Sequence, residues 1–451
     1  MTDDVATIFE KATALHLAGD FIAAELQYDL LLTQNPDNPG LLATMGTMYL
    51  QSRRYGLAIS FLHRSAEKNA QSDVLCNLGI AYKYTGQFEK SRKYLTKAIE
   101  HNPSADALAN YAALFTNNAT PDKAIELSQK AIKLDPQCAI AHWNMALAML
   151  EAGQWDKAWE EHEWGLKSKM RIDRKIADAP EWDGTPGKTV VVYGEQGMGD
   201  EIMFASMLPD IMKTNTVIFE CHKRLKTLFE NSFPGLLCYG TREDKEITWH
   251  NDHKIDYRIS IGSLGKFYRR SREAFPGTPY LVSDSVPKGD KFRVGISWTG
   301  GLKPGRIAVR SVPLTWWKSV LDNNCEFVSL QYTDCADDIA EAENLGYSIK
   351  QYAEIKAEDY AETAKIVQSC DLIVSVCTSV IHLAGALGVP CWVAVPSKPA
   401  WRYGVTGGMP WYRSVRLYRQ PQGDIGAWRP VLSRIGSDLS DILQDRKSKV
   451  A

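Results

Sequence analysis

Small and apolar positions in the first third of the chain recur at a near-constant interval. Ala24, Ala58, Ser91, Ala124 and Ala158 follow one another at the spacing of roughly 34 residues that helical-hairpin repeats show. Gly19, Gly86 and Gly153 lie five positions before three of them, and Pro36, Pro103 and Pro136 lie twelve positions after three of them. Gly46 and Gly79 stand twelve positions upstream of Ala58 and Ser91. This pattern predicts units of two amphipathic helices that cross at a small residue, with proline closing the second helix. About five units fit residues 1–168, and the last is rich in tryptophan, GQWDKAWEEHEWGL, as a capping unit would be.

The periodicity then changes. KSKMRIDRKIADAPEWDGTPGK reads as a polar linker, assigned to residues 169–187. TVVVYGEQGMGDEIMFASMLPDIM reads as strand, glycine turn and helix, TVIFECHKRLKTLFE as strand and helix, and DYRISIGSLGKFY as strand and loop. After a break at VPKGDK, five further runs read as strands: FRVGISW, CEFVSLQY, SIKQYAE, CDLIVSV and CWVAV. Strands alternating with helices predict parallel sheets with right-handed crossovers. The expected fold is therefore α + α/β, a helical superhelix followed by two Rossmann-like lobes, 188–286 and 287–432. A terminal helix and tail, containing SRIGSDLSDILQDRK, occupy 433–451.

Composition narrows the function classes. The chain of 451 residues has a net charge of −2, which gives no reason to expect a nucleic-acid partner. The start, MTDDVATIFEKA, has no apolar signal core, and no apolar run approaches the roughly 18 residues of a spanning helix, so a cytoplasmic protein is expected. Nine scattered cysteines without CxxC spacing suggest reduced thiols, not disulfides or a zinc site. No acidic metal motif stands out, because Asp337 and Asp338 in ADDIAEAE read as a solvated helix face.

Two strand–turn–helix junctions carry candidate chemistry. In CDLIVSVCTSVIHLAGALGVP, Thr378, Ser379 and His382 occupy the first turn of a helix at the end of a strand. Such a helix start suits an anion, and it equally suits an ordinary N-cap. In GEQGMGDE the glycines Gly194, Gly197 and Gly199 match neither GxGxxG nor a Walker A loop, but they allow a ligand or backbone to approach closely.

NLGIAYKYTGQFEKSRKYLTKAIEHNP, Asn77 to Pro103, resembles the tetratricopeptide (TPR) repeat. Asn77, Asn110 and Asn144 recur one repeat apart on the first helix of three units. This is similar to the asparagine ladder of O-GlcNAc transferase, in which amides pair with an extended peptide backbone; asparagine is also common at this place in TPR repeats generally. DLIVSVCTSVIHLAGALGVPCWVAV and GEQGMGDEIMFASMLP resemble the donor-site and first-loop motifs of the heptosyltransferase family (family 9 glycosyltransferases). GISWTGG, RSVPLTWW, FVSLQY and PWYRSVRLYRQ look like the TPR-fused bacterial branch, which includes enzymes that modify flagellin.

The resemblance implies a GT-B fold, with acceptor on the first lobe, nucleotide sugar on the second, and no cofactor or obligatory metal. It implies that Asp200 is the general base, against the alternative of an N-cap aspartate. Around the donor it implies Thr378 and Ser379 on the phosphates, and it gives Gly197 and Gly199 as the glycine loop of the site. Lys303, Arg306 and Arg310 would neutralise charge, unless they form a basic surface loop. His382 would touch phosphate or donor, and Trp298, Gln331 and Tyr332 would border the nucleotide. Trp401 and Arg402 would close over it, with core packing as the alternative for Trp401. One departure is Cys377, where the family has aspartate. The expected function is transfer of a sugar from a nucleotide donor to a hydroxyl, on a protein recruited by the repeats. The alternatives are a non-catalytic scaffold and a lipid-linked or polysaccharide acceptor.

Overall fold

The computed structural model describes residues 4–116, 119–300, 309–356, 358–421 and 426–450. The chain divides into two compact units, one formed by Met1–Thr116 and Thr120–Ala148, the other by Asn117–Ala119 and Met149–Ala451. The helix pairs are Val5–Leu17 with Phe21–Gln34, Pro39–Gln51 with Tyr55–Lys68, Ser72–Tyr84 with Phe88–His101, and Ala105–Ala112 with Pro121–Leu134, and the helices Ala139–Glu151 and Trp155–His162 follow in the chain. Ala24, Ala58, Ser91, Ala124 and Ala158 are fully buried, as crossing points should be. A Cβ on Gly46 would come within 2.6 Å of Leu62, and one on Gly79 within 2.5 Å of Leu95, so glycine is what lets these helices touch.

The turn inside each pair is left-handed. Gly19, Gly86 and Gly153 have φ of 81°, 77° and 75°, and the equivalent places in the other two pairs are held by Arg53 at 61° and Ala119 at 55°. The next residue closes a six-to-one hydrogen bond at four of these turns, such as Arg54 N–H to the Tyr49 carbonyl at 2.8 Å and Gln87 N–H to Tyr82 at 2.9 Å. A side chain in this conformation costs roughly 1–2 kcal/mol, part of which glycine returns as unfolded-state entropy. Arg53 is exposed, so its side chain contributes little packing. Arg53→Gly should therefore raise stability by about 0.5–1 kcal/mol in urea unfolding followed by helical circular dichroism. A lower midpoint would show that the turn imposes no strain.

The second unit holds two parallel sheets. β1 (Thr189–Tyr193), β2 (Thr216–Glu220), β3 (Leu237–Tyr239) and β4 (Tyr257–Ser260) are ordered β3-β2-β1-β4. β5 (Arg293–Ser297), β6 (Glu326–Ser329), β7 (Ile349–Lys350), β8 (Leu372–Val376), β9 (Cys391–Val395) and β10 (Val415–Arg419) are ordered β10-β9-β8-β5-β6-β7. β5, β8 and β9 are buried along their whole length, which is why they read as unbroken apolar runs. The sequence pattern misses β3, only three residues long, and β10, an edge strand with Arg416 exposed. In the first sheet the strand order reverses between β1 and β4, and in the second between β5 and β8. Ligands of such sheets sit at the carboxyl ends of these strands.

Three expected boundaries change. Residues 169–187 are a packed strap, not a free linker: Arg171, Ile176, Ala179 and Trp182 are buried, and the segment pairs with β4 through Trp182 N–H to the Arg258 carbonyl at 2.9 Å. The helix Trp155–His162 docks on the first lobe, where Trp159 donates to the Arg269 carbonyl at 2.7 Å and leaves no room for a side chain at Gly265. The terminal helix begins earlier, as Trp428–Val450, and buries Val431, Leu432, Ile435 and Leu439 in the second lobe's core. None of the nine cysteines is in a disulfide. Among the described residues no helix is long and apolar enough to cross a membrane, and no group of three His, Cys, Asp or Glu is placed to hold a metal ion.

Candidate active site

The first loop leaves β1 at Gly194 and enters the helix Met198–Ala205, with Gln196 in the left-handed region at φ 61°. Two buried ion pairs hold it. Glu195, fully buried, takes Arg171 Nε at 3.0 Å and Nη2 at 2.8 Å, and Ser260 Oγ at 2.5 Å. Glu201, also fully buried, takes Arg242 Nη1 at 2.7 Å and the His222 N–H at 2.8 Å. Burial pushes Glu201 up to about 7, against the pull of Arg242. Arg242 also donates to the Gln196 carbonyl at 3.2 Å, so the strained residue is tied on its own backbone. Asp200 is thereby set in the first helical turn. One of its oxygens accepts the Gly197 N–H at 3.4 Å, and the other is paired with the Arg402 guanidinium.

The second loop leaves β8 through Cys377 and enters the helix Ser379–Leu387, with Thr378 as N-cap. No side chain caps this helix: Thr378 Oγ1 lies 3.1 Å from Ser375 Oγ, and Ser379 Oγ lies 3.3 Å from the Tyr360 hydroxyl. The amides of the first turn therefore have no side-chain cap, the arrangement that favours an anion. Burial pushes the Cys377 thiol up despite the nearby Arg310, Tyr403 and Arg402, so it is a thiol and not a nucleophilic thiolate.

The two helix starts meet. A Cβ on Gly199 would stand 3.3 Å from Ser379 Cα and 3.1 Å from His382 Cδ2. Around this contact lies a cavity of about 330 Å³. The first lobe brings Gly197, Gly199 and Asp200 to it, and the second brings Arg310, Tyr332, Cys377, Thr378, Ser379, His382 and Arg402. Arg224, Tyr360 and Tyr403 also line it and were not singled out from sequence. Arg224 had a signal, since it sits in a basic run just past a first-lobe strand. Three arginines thus face one carboxylate, an excess of positive charge suited to an anionic ligand.

Other expected residues lie elsewhere. Trp298 is buried at 1% exposure and donates to Asp338 Oδ2 at 2.7 Å, so Asp338 is a core partner and not merely solvated. Gln331 is buried too; it accepts from the backbone N–H of Thr299 at 3.1 Å and donates to Thr333 Oγ1 at 2.7 Å, bracing the turn after β5 without lining the cavity. Trp401 packs at 5% exposure beside Phe204, ring centroids 6.4 Å apart, which is the core-packing alternative. Lys303 and Arg306 lie outside the described residues. The asparagines are engaged within the helical unit. Asn77 donates to Thr47 Oγ1 at 3.0 Å, Asn110 accepts from Lys83 Nζ at 3.0 Å, and Asn144, 5% exposed, donates to the Ala109 carbonyl at 2.8 Å. Asn144 thereby joins neighbouring helices through one of its amide hydrogens.

Residues 72–104 match the model of the tetratricopeptide repeat. Protein FlbA of Caulobacter vibrioides is 30% identical over 338 residues, 67% of this chain and 55% of that protein. The chain thus spans little more than half the length of this curated relative. Among solved structures, MamA protein is 23% identical with a TM-score of 0.32, covering 38% of this chain and 94% of that one. YrrB, described as a TPR protein with an unusual peptide-binding site, is 20% identical with a TM-score of 0.31, covering 37% of this chain and 92% of that one.

Proposed function

We propose that the second unit is a nucleotide-sugar-dependent glycosyltransferase of GT-B type, acting on a hydroxyl acceptor. The observation that carries this reading is the cavity at the meeting of two strand–loop–helix junctions, each at a point where strand order reverses, with Arg224, Arg310 and Arg402 around an uncapped helix start. A departing diphosphate needs stabilisation as its charge develops, and fixed amides and guanidinium groups supply it without a metal ion. Ser379 and the amides after Thr378 hold the phosphates, Arg310 neutralises them, and Tyr332 borders the nucleotide. The repeats recruit a protein acceptor, which suits a TPR array; with Asn144 buried, any backbone ladder is reduced to Asn77 and Asn110. Cys377 in place of the family's aspartate favours a second reading, a scaffold with a degenerate transferase domain.

Purified protein incubated with a panel of nucleotide sugars separates the two. The expected result is release of nucleoside diphosphate or monophosphate from at least one donor, undiminished by EDTA. No release from any donor, with the protein folded, favours the scaffold; release abolished by EDTA contradicts the metal-independent mechanism.

A further inference from the structure

A chain of hydroxyls runs from the first lobe to His382, and one ordering of its hydrogens satisfies all three of its contacts. The Ile202 backbone carbonyl has lone pairs and no hydrogen, so Tyr280 donates its O–H to it at 2.7 Å. In that ordering the Tyr280 oxygen accepts from Tyr412, 3.3 Å away, because its own hydrogen is already used. Tyr412 in turn has no hydrogen left, so the bond to His382 Nδ1 at 3.2 Å is donated by the imidazole. His382 is 4% exposed and lines the cavity, and burial, followed by the charges of Arg402 and Arg310, holds it well below the usual histidine range. The ring is therefore neutral, with hydrogen on Nδ1 and a bare lone pair on Nε2.

Among the described residues no hydrogen bond engages that lone pair. It also cannot bond a phosphate oxygen, which only accepts; it needs a hydroxyl. Asp200 is less free for this task, because its two oxygens already hold the Gly197 N–H and Arg402. We propose that His382 Nε2 is the catalytic base that takes the proton of the acceptor hydroxyl, with Tyr412 and Tyr280 as positioning residues that fix its tautomer. The assignment rests on the transferase reading. In the step, a lone pair of the acceptor oxygen forms a bond to the anomeric carbon. The bond from that carbon to the phosphate oxygen breaks, and its electron pair leaves with the phosphate group. The hydroxyl proton passes to Nε2, giving an imidazolium that releases it to solvent or product phosphate. Donor phosphates beside Arg310 and Arg402 offset the part of the suppression that comes from those two charges, while burial, the larger cause, remains.

Nitrogen NMR of histidine-labelled protein reads the tautomer without any turnover, the His382 signals being those absent from His382→Gln. An unprotonated Nε2 and a protonated Nδ1, shifting to a mixture in Tyr412→Phe, are expected. A protonated Nε2 in the wild type overturns the proposal. In kinetics, His382→Gln should lose about 100-fold or more in kcat, with nucleoside diphosphate affinity within about threefold of wild type and Tyr412→Phe falling between the two. A wild type that turns over while His382→Gln is unimpaired and Asp200→Asn is inactive overturns the choice of base alone. A wild type that turns over no nucleotide sugar overturns the transferase reading itself, and the base with it.

Discussion

Arg171→Met should destabilise the second unit by about 3–5 kcal/mol, the cost of leaving a buried charge without its partner. Arg171 is 3% exposed, and its guanidinium reaches Glu195, Glu163 Oε1 at 2.9 Å, the His162 carbonyl at 3.0 Å, Ser260 Oγ at 2.9 Å and Ser263 Oγ at 2.8 Å. Methionine fills much of the stem's volume but leaves the Glu195 carboxylate, fully buried, with Ser260 Oγ as its remaining donor. Arg171→Lys should recover part of the loss, because an ammonium restores charge without the planar fork. Urea unfolding followed by tryptophan fluorescence measures both. Lys175→Met, at a side chain 70% exposed, serves as the control and should change stability by no more than about 0.5 kcal/mol. An Arg171→Met midpoint equal to wild type would mean that the network does not hold the strap.

This network also shows where sequence reading stops. The helix pairs were legible because crossing points select small residues at a near-constant interval, and the central strands because burial on both faces leaves unbroken apolar runs. The left-handed turns at Arg53 and Ala119 were not, since neither residue type announces a positive φ; only their spacing from Gly19, Gly86 and Gly153 does. The strap read as a linker because its charges look solvated in sequence. Arg171 and Arg174 pair with Glu195 and Glu220, partners distant in sequence that only the folded sheet brings to them. At the cavity, glycines and hydroxyls at strand ends were local signals, and they marked the two loops that meet. Trp298 and Gln331 sit on the same kind of segment, yet their side chains turn into the core, which depends on partners such as Asp338 and Thr333. Tyr360 and Tyr403 carried no signal at all, because aromatic residues beside apolar ones read as core.

The second large effect concerns the arginines. Arg310→Gln combined with Arg402→Gln should weaken nucleoside diphosphate binding by roughly 100-fold or more. A hydrogen bond to a charged group contributes about 1.5–3 kcal/mol, and about 1.4 kcal/mol is tenfold in affinity. Two such losses amount to ~3–6 kcal/mol if they add, which neighbours around one ligand need not do. Removing Arg402 also releases Asp200, so a carboxylate without its counter-charge then faces the phosphates. The fold should hold, since Asp200 and Arg402 side chains keep 17% and 13% of their surface in contact with solvent. Calorimetric titration of a panel of nucleoside diphosphates into wild type and double variant, with EDTA present, tests the central claim that this cavity is the donor site. Wild-type protein should bind at least one of them and the double variant should bind it at least about 100-fold more weakly; equal affinity in the two proteins, or binding that vanishes in EDTA, would contradict it.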